Sequence, residues 1–272
     1  RVLEPGYTPH PGADPDADPL PTAATVRSDW GLLDGPCEGE LEPEVASVAE
    51  GCQATDAPED APVIVAVGNS RLRQSAMSLI GPARENGWRL VLIHRNSCQF
   101  MPGVMTYSGQ ECFDHNLAVA EHLRKLAPEA VAMHTTVYRG VGPEEPSEVL
   151  DETVGELLDQ DIPVIALRTP PRAAENPLDC LDDGGTVEEC TTPLDPEHMP
   201  AERADAARLE ELSQDGPLHA VDLLPVLCPE HECSPLIGNI SVFMDEDHIT
   251  ATYMESTGGE VSRQLEESGF TW

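Results

Sequence analysis

The stretch that decides the fold is Val63-Ile-Val-Ala-Val67, followed directly by Gly68-Asn69-Ser70. Five consecutive apolar residues, mostly β-branched, are typical of a strand that is covered on both faces. Similar apolar runs recur at 89–93, 130–133, 162–167 and 219–223, and stretches with helical spacing separate them, among them 147–160, 201–213 and 250–268. Strands that alternate with helices predict an α/β fold, a three-layer α/β/α doubly wound parallel sheet of the flavodoxin-like kind.

The composition limits which functions a protein with such a fold can have. The chain has 272 residues, of which 40% are hydrophobic but only 4% aromatic, so we expect a core of Val, Leu, Ile and Ala. Fifteen Lys and Arg face 50 Asp and Glu, a formal net charge of −35. So negative a surface repels phosphate backbones and anionic lipids, which argues against nucleic-acid partners and against docking on membranes. No apolar run approaches the roughly 20 residues that span a bilayer.

The eight cysteines fall into four pairs that are close in sequence, each flanking a loop rich in Pro, Gly or acidic residues. We expect these pairs to be disulfides, which places the protein outside the cytoplasm. Zinc is the alternative, best represented by Cys228-Pro-Glu-His231-Glu-Cys233, but no second short pair supplies the remaining ligands of a structural site. The sequence favours disulfides and no metal. The expected bridges are Cys37–Cys52, Cys98–Cys112, Cys180–Cys190 and Cys228–Cys233.

Residues 1–61 differ from the rest of the chain. They are rich in proline, and their acidic residues far outnumber the two arginines, Arg1 and Arg27. The run from Pro9 to Pro19 suits neither a helix nor a ladder strand. We interpret 1–61 as an acidic, Pro-rich linker or extension and 62–272 as the catalytic domain. The segment is either solvated or wrapped on the domain, and the pair Cys37 and Cys52 favours partial order.

Two motifs carry chemistry. In an open parallel sheet, sites form at the carboxyl ends of the strands, and Ser70 follows the first predicted strand directly. Near the C-terminus, Asp245-Glu-Asp-His248 precedes the last predicted helix, so a carboxylate can orient the imidazole while its second nitrogen takes a serine proton. Each motif alone has an ordinary interpretation, an N-cap serine or a solvated acidic loop. Together they favour a catalytic serine.

The sequence resembles a known superfamily at these positions. Gly68-Asn69-Ser70 after an apolar strand, with Asp245-x-x-His248 near the C-terminus, is similar to the SGNH (GDSL-like) hydrolases and transferases. A narrower resemblance, covering about 62–270, is to the extracytoplasmic SGNH domains of acyltransferase type 3 membrane proteins. It rests on three stretches: Asn96-Ser-Cys98, Val221-Asp-Leu-Leu-Pro-Val-Leu-Cys228-Pro with Cys233, and Phe243-Met-Asp-x-Asp-His-Ile-Thr250.

The resemblance implies that Ser70 is the nucleophile, His248 the general base and Asp245 its orienting carboxylate. Asp247 is expected to point into solvent. The chain departs from the family in three places. Asn69 replaces the usual aspartate, and two further features are missing: the glycine of the family's second conserved sequence block and the Gly-x-Asn of its third. The donors to the oxyanion, other than the Ser70 N–H, are therefore open, and the candidates are Asn69, Asn96 and Arg139.

The resemblance also implies a function. We expect an O-acyltransferase, most simply an O-acetyltransferase, that acylates hydroxyls of an envelope polysaccharide or glycolipid without a cofactor. A membrane acyltransferase domain, in the same full-length chain, would deliver the acyl donor and tether this domain outside the cytoplasm. We expect a monomer as a soluble fragment. The alternatives are a secreted carbohydrate esterase with the same residues, and a catalytically inactive module that binds glycan.

Overall fold

A computed structural model describes residues 18–138, 142–173 and 175–272. Within these ranges the chain forms thirteen strands: β1 (Gly35–Pro36), β2 (Cys52–Ala54), β3 (Val63–Gly68), β4 (Arg89–His94), β5 (Ala130–His134), β6 (Thr136–Tyr138), β7 (Glu144–Pro146), β8 (Val164–Leu167), β9 (Thr192–Pro193), β10 (Leu218–Val221), β11 (Glu232–Cys233), β12 (Leu236–Ile237) and β13 (Ile240–Ser241).

The described residues also form ten α-helices, all of them shorter than twenty residues. They are α1 (Ala46–Ala49), α2 (Ser70–Ala76), α3 (Ile80–Glu85), α4 (Gly109–Leu126), α5 (Leu150–Leu158), α6 (Pro177–Asp182), α7 (Ala206–Leu212), α8 (Leu224–Leu227), α9 (Ala251–Ser256) and α10 (Gly258–Glu267). Short 3-10 turns lie at Val26–Ser28, Gly39–Leu41, Met77–Leu79 and Pro229–His231. None of the helices in these ranges has the length and apolar character needed to span a bilayer.

Seven strands make the central sheet, in the order β1-β2-β4-β3-β5-β8-β10. The five strands from β4 to β10 run parallel, as the sequence predicts, whereas β2 pairs antiparallel with β4 and β1 with β2. The chain leaves β3 for β4 on one side and later returns to β5 on the other. The carboxyl end of β3 is therefore the topological switch point, where doubly wound sheets bind their ligands.

Alternate side chains of each strand enter the two halves of the core, which explains the continuous apolar runs. Ile64 and Ala66 pack on one face of the sheet with α2, α3, α9 and α10. Val65 and Val67 pack on the other face with α1, α4, α5 and α7. Because both faces are covered by helices, the sheet is buried, and the three-layer α/β/α architecture is confirmed.

The described part of the predicted extension packs on the domain. Residues 35–36 and 52–54 are the strands β1 and β2, so this segment completes one edge of the central sheet. Val48 and Cys52 are buried in the core half that α4 and α5 also share. Residues 18–61 thus follow the wrapped interpretation, while 1–17 lie outside the described residues, and the boundary at 61 and 62 stays a prediction.

The predicted helix over 250–268 is two helices, α9 and α10, which meet at Thr257. A Cβ placed on Gly258 would lie 3.0 Å from the Cδ of Pro82 and 3.4 Å from the carbonyl oxygen of Ser78. The second helix therefore starts on a glycine that packs closely on α3. Two successive glycines also weaken a continuous helix here, because glycine has a low helix propensity.

All eight cysteines form disulfides, in the four pairs that the sequence predicts: Cys37–Cys52, Cys98–Cys112, Cys180–Cys190 and Cys228–Cys233. The zinc alternative at Cys228 and Cys233 is wrong, because their two sulfurs are bonded to each other. Within the described ranges, no group of three or more His, Cys, Asp and Glu side chains is arranged to hold a metal ion.

The longer disulfide loops should contribute most to stability. Cys98 and Cys112 are 14 residues apart, whereas Cys228 and Cys233 are 5 apart. In the chain-entropy model, replacing the first pair with serines should lower the free energy of unfolding by about 3 kcal/mol, and replacing the second by about 2 kcal/mol. Urea unfolding of the two double variants measures this difference. A larger loss from the shorter loop would contradict the entropic account, and free thiols in a non-reducing peptide map would contradict the pairing.

Candidate active site

Ser70 lies at the junction between β3 and α2, and its neighbours explain the sharp turn there. The side chain of Asn69 caps the helix by accepting the N–H groups of Arg71 at 3.0 Å and of Leu72 at 3.2 Å. A Cβ on Gly68 would lie 2.9 Å from the Cβ of Leu72, so only glycine lets the helix pack this closely on the strand end. The cap is therefore Asn69, and the Ser70 hydroxyl is left for other partners.

The motif Asp245-x-x-His248 forms a tight turn, which the Asp245 side chain stabilises. Its Oδ1 accepts the backbone N–H groups of Asp247 at 2.7 Å and of His248 at 2.8 Å, which is an Asx-type turn. The N–H of Met244 donates to the carbonyl of His248 at 2.8 Å and closes the turn. An aspartate three residues before the histidine is thus positioned by the backbone that it caps.

The two motifs meet at the carboxyl edge of the sheet. The Ser70 Oγ lies 2.9 Å from His248 Nε2, and His248 Nδ1 lies 2.9 Å from each carboxylate oxygen of Asp245. When the Nδ1–H donates to this carboxylate, Nε2 has its lone pair free to accept the serine proton. The His248 side chain is 16% exposed and that of Asp245 is 36% exposed, so the chain of hydrogen bonds is shielded but reachable.

Asp245 stays ionised in this setting. Partial burial acts to raise the pKa of its carboxyl, but the hydrogen bond with His248 and the backbone N–H of Asp247 outweigh burial and hold the pKa below its ordinary value. At neutral pH the carboxylate is therefore negative where it contacts the His248 ring. A general base that becomes an imidazolium during proton transfer needs such a partner.

The segment around Trp30, which belongs to the predicted N-terminal extension, also contacts the site. No sequence signal predicted this contact. The ring of Trp30 contacts that of His248 edge-on, with 4.8 Å between the ring centroids. Buried Gln74 of α2 fixes this segment, since its amide donates to the carbonyls of Asp29 at 3.0 Å and Ile249 at 2.7 Å. Gln74 therefore ties together the Trp30 segment, the loop of His248 and the helix of Ser70.

Ser70 and His248 line an open cleft of about 830 Å³. One wall is the 97–107 segment, which the Cys98–Cys112 disulfide holds and which places Met105 and the 95%-exposed Tyr107 at the rim. Arg71 and Tyr138 also line the cleft. A cleft of this size is in the range of ligand-binding sites in proteins.

His134 also lines the cleft, at the end of β5, where its ring contacts a buried serine. Its Nε2 lies 2.9 Å from the Oγ of buried Ser75. Burial, with smaller effects from Arg71 and Arg203, lowers the pKa of His134 to about 3, so its imidazole is neutral at physiological pH.

The structure brings some of the predicted site residues together and separates others. Ser70, His248, Asp245 and Asn69 are neighbours. Asn96 is exposed and is not among the residues that line the cleft, and Arg139 lies outside the described residues. The expectation that Asp247 points freely into solvent is wrong, because its carboxylate forms an ion pair with the Arg172 Nε at 2.5 Å on the cleft wall.

Fold and site together define an α/β protein with a Ser-His-Asp hydrogen-bond chain at the switch point of its sheet. Residues 36–261 match the family model described as an SGNH domain fused to AT3 domains, and the chain belongs to that family. No curated protein matches the sequence.

A solved structure with a similar fold is the periplasmic domain of a lipopolysaccharide acetyltransferase from Salmonella ser. Paratyphi A. The similarity covers 77% of this chain and 85% of that one, with a TM-score of 0.57 and 13% sequence identity. At that identity the match shows a shared fold, and it agrees with the family assignment.

Proposed function

We propose that this domain is an O-acyltransferase that transfers an acyl group, acetyl in the simplest case, to a hydroxyl of an extracytoplasmic polysaccharide or glycolipid. The observation that carries the proposal is the Ser70–His248–Asp245 hydrogen-bond chain on the wall of an open cleft. Membership of a family that is fused to AT3 domains supports acyl transfer, and the lipopolysaccharide acetyltransferase with the same fold supports a carbohydrate acceptor.

The reaction has two halves. The Ser70 Oγ attacks the carbonyl carbon of the acyl donor while His248 Nε2 takes the hydroxyl proton, and the imidazolium then gives that proton to the leaving group. In the second half His248 takes the proton of the acceptor hydroxyl, whose oxygen attacks the acyl-serine. The ester of the acceptor forms, and Ser70 recovers its proton. Asp245 remains ionised throughout and stabilises the imidazolium.

The backbone N–H of Ser70 is the donor that we assign to the oxyanion. Asn69 Oδ1 already accepts the N–H groups of Arg71 and Leu72, while the Ser70 N–H, at the first position of α2, has no partner within the helix. A donor at this point serves the tetrahedral intermediate. Asn69, which lines the cleft, and Arg139, which lies outside the described residues, remain proposals for the second donor, whereas the exposed position of Asn96 outside the cleft lining argues against it.

Membership of a family that is fused to AT3 domains supports a donor delivered across a membrane. A membrane acyltransferase domain, fused to this one in the full-length protein, would supply the acyl group and tether the domain outside the cytoplasm. The four disulfides support that location, because such bonds persist in oxidising compartments.

A soluble assay separates this proposal from its alternatives. The protein is incubated with a chromogenic nitrophenyl acetate, with or without oligosaccharides, and the products are analysed by mass spectrometry. We expect acetylated oligosaccharide, and none when the acceptor is permethylated and offers no hydroxyl. Free acetate as the sole product would instead make the protein a carbohydrate esterase. A protein that releases no nitrophenol would be an inactive glycan-binding module, and the proposal would fail.

A further inference from the structure

Arg71, the residue after the candidate nucleophile, has an unusual environment. Its side chain lines the cleft, yet its Nε is buried and has no hydrogen-bond partner. Among the described residues, its guanidinium has one hydrogen-bond acceptor. This is the carbonyl oxygen of Pro170, to which Nη2 donates. The guanidinium also stacks over the ring of Tyr138, with 5.0 Å from its central carbon to the ring centroid.

The chain has 50 acidic residues, so carboxylate partners are not scarce. Most of the other arginines form ion pairs with carboxylates: Arg27, Arg84, Arg95, Arg124, Arg168, Arg172, Arg203, Arg208 and Arg263. Arg71 forms no such pair within the described ranges. Burial lowers the pKa of its guanidinium to about 10, although the charges of Asp247 and Asp245 act in the opposite direction, so these carboxylates do not offset the cost of removing the cation from water.

A second cation lines the same cleft. Arg172 is close enough to Arg71 for the two charges to repel each other, and it is bound to Asp247. The carboxylates among the cleft-lining residues are Glu148 and Asp247, and Asp245 lies behind His248. Among the described residues that line the cleft, two arginines thus face two carboxylates, and their formal charges cancel, in a protein whose formal net charge is −35.

We propose that Arg71 and Arg172 form an anion-binding subsite beside Ser70, which holds a carboxylate or phosphate group of the acceptor glycan. The inference rests on the proposed function and narrows its substrate class to acidic glycans. An oxygen anion supplies the hydrogen-bond acceptors that the Arg71 guanidinium lacks, and paired guanidinium groups suit planar carboxylates and phosphates. The negative surface does not prevent this, because salt at physiological strength screens charges beyond about 8 Å.

Binding tests the subsite without relying on turnover. The Ser70→Ala protein is titrated by calorimetry with a galacturonic acid trisaccharide and with the neutral galactose trisaccharide, at physiological ionic strength. We expect the acidic sugar to bind at least about tenfold more tightly, the value of one charge-assisted hydrogen bond. A sugar phosphate titrated in parallel distinguishes carboxylate from phosphate. The anion that binds more tightly is the one that the subsite recognises.

Variants in the same background show where the preference arises. Arg71→Gln should abolish it, Arg71→Lys should keep part of it, and Arg172→Gln should reduce it. Arg124→Gln is the matched control, because it removes one exposed positive charge that is not among the residues lining the cleft, and it should leave the preference unchanged. Equal affinity for acidic and neutral sugars, or a preference that survives in Arg71→Gln, would overturn the proposal. Neither result would bear on Ser70 as the nucleophile, which turnover tests separately.

Discussion

Replacing Ser70 with alanine is expected to abolish acyl transfer and ester hydrolysis while leaving the protein folded. In this account the hydroxyl oxygen of Ser70 attacks the acyl carbonyl, and no other group on the cleft wall takes over as the nucleophile. Loss of the nucleophile in a triad lowers turnover by about 10⁶-fold in well-studied serine enzymes. Hydrolysis of the chromogenic acetate measures the change.

The fold should tolerate this substitution because the helix cap belongs to Asn69 and not to Ser70. The alanine variant loses one hydrogen bond, the 2.9 Å contact with His248, so the free energy of unfolding should fall by about 1 kcal/mol or less. Ser47→Ala, on the exposed surface of α1, is the control. Activity that persists in Ser70→Ala would assign the chemistry to another residue.

Replacing Asp245 with asparagine is expected to lower turnover by roughly 10²–10⁴, with little effect on the fold. The asparagine oxygen still accepts the N–H groups of Asp247 and His248, so the turn keeps its shape. The imidazolium, however, loses its negative partner, and the amide favours the wrong tautomer of His248. Steady-state kinetics of the two proteins provide the comparison.

Glu246→Gln is the matched control for this change. Glu246 lies in the same turn, is exposed, and also loses one negative charge when it becomes glutamine. Asp247 is a poorer control, because its ion pair with Arg172 belongs to the cleft wall. If Glu246→Gln were as damaging as Asp245→Asn, the effect would come from the loop's charge and not from the contact with the imidazole.

The sequence predicted those features that depend on residues close together in the chain. The run from Val63 to Val67 is buried on both faces, and its alternating side chains fill both halves of the core. The disulfides were also predictable, since each closes a short loop in the chain. The spacing of Asp245 and His248 works because the aspartate caps the turn that separates them.

The rest depends on contacts between residues that are distant in sequence. Trp30 reaches His248 because Gln74 joins two segments that lie 45 and 175 residues away from it along the chain. No periodicity or motif encodes such a contact. The same holds for Arg71, whose role follows from burial and from a missing acceptor, both of which only the folded structure reveals. The split at Thr257 likewise reflects the packing of Gly258 on α3.

The most direct test of the account is to identify the acylated residue. The protein is mixed with the chromogenic acetate, quenched in acid within the first turnovers, digested and mapped by mass spectrometry. We predict one acetyl group, on the Oγ of Ser70, that is absent from the Ser70→Ala protein and disappears from the wild type when an acceptor glycan is added. Acetylation at another residue, or turnover in the absence of any acetylated serine, would contradict the account.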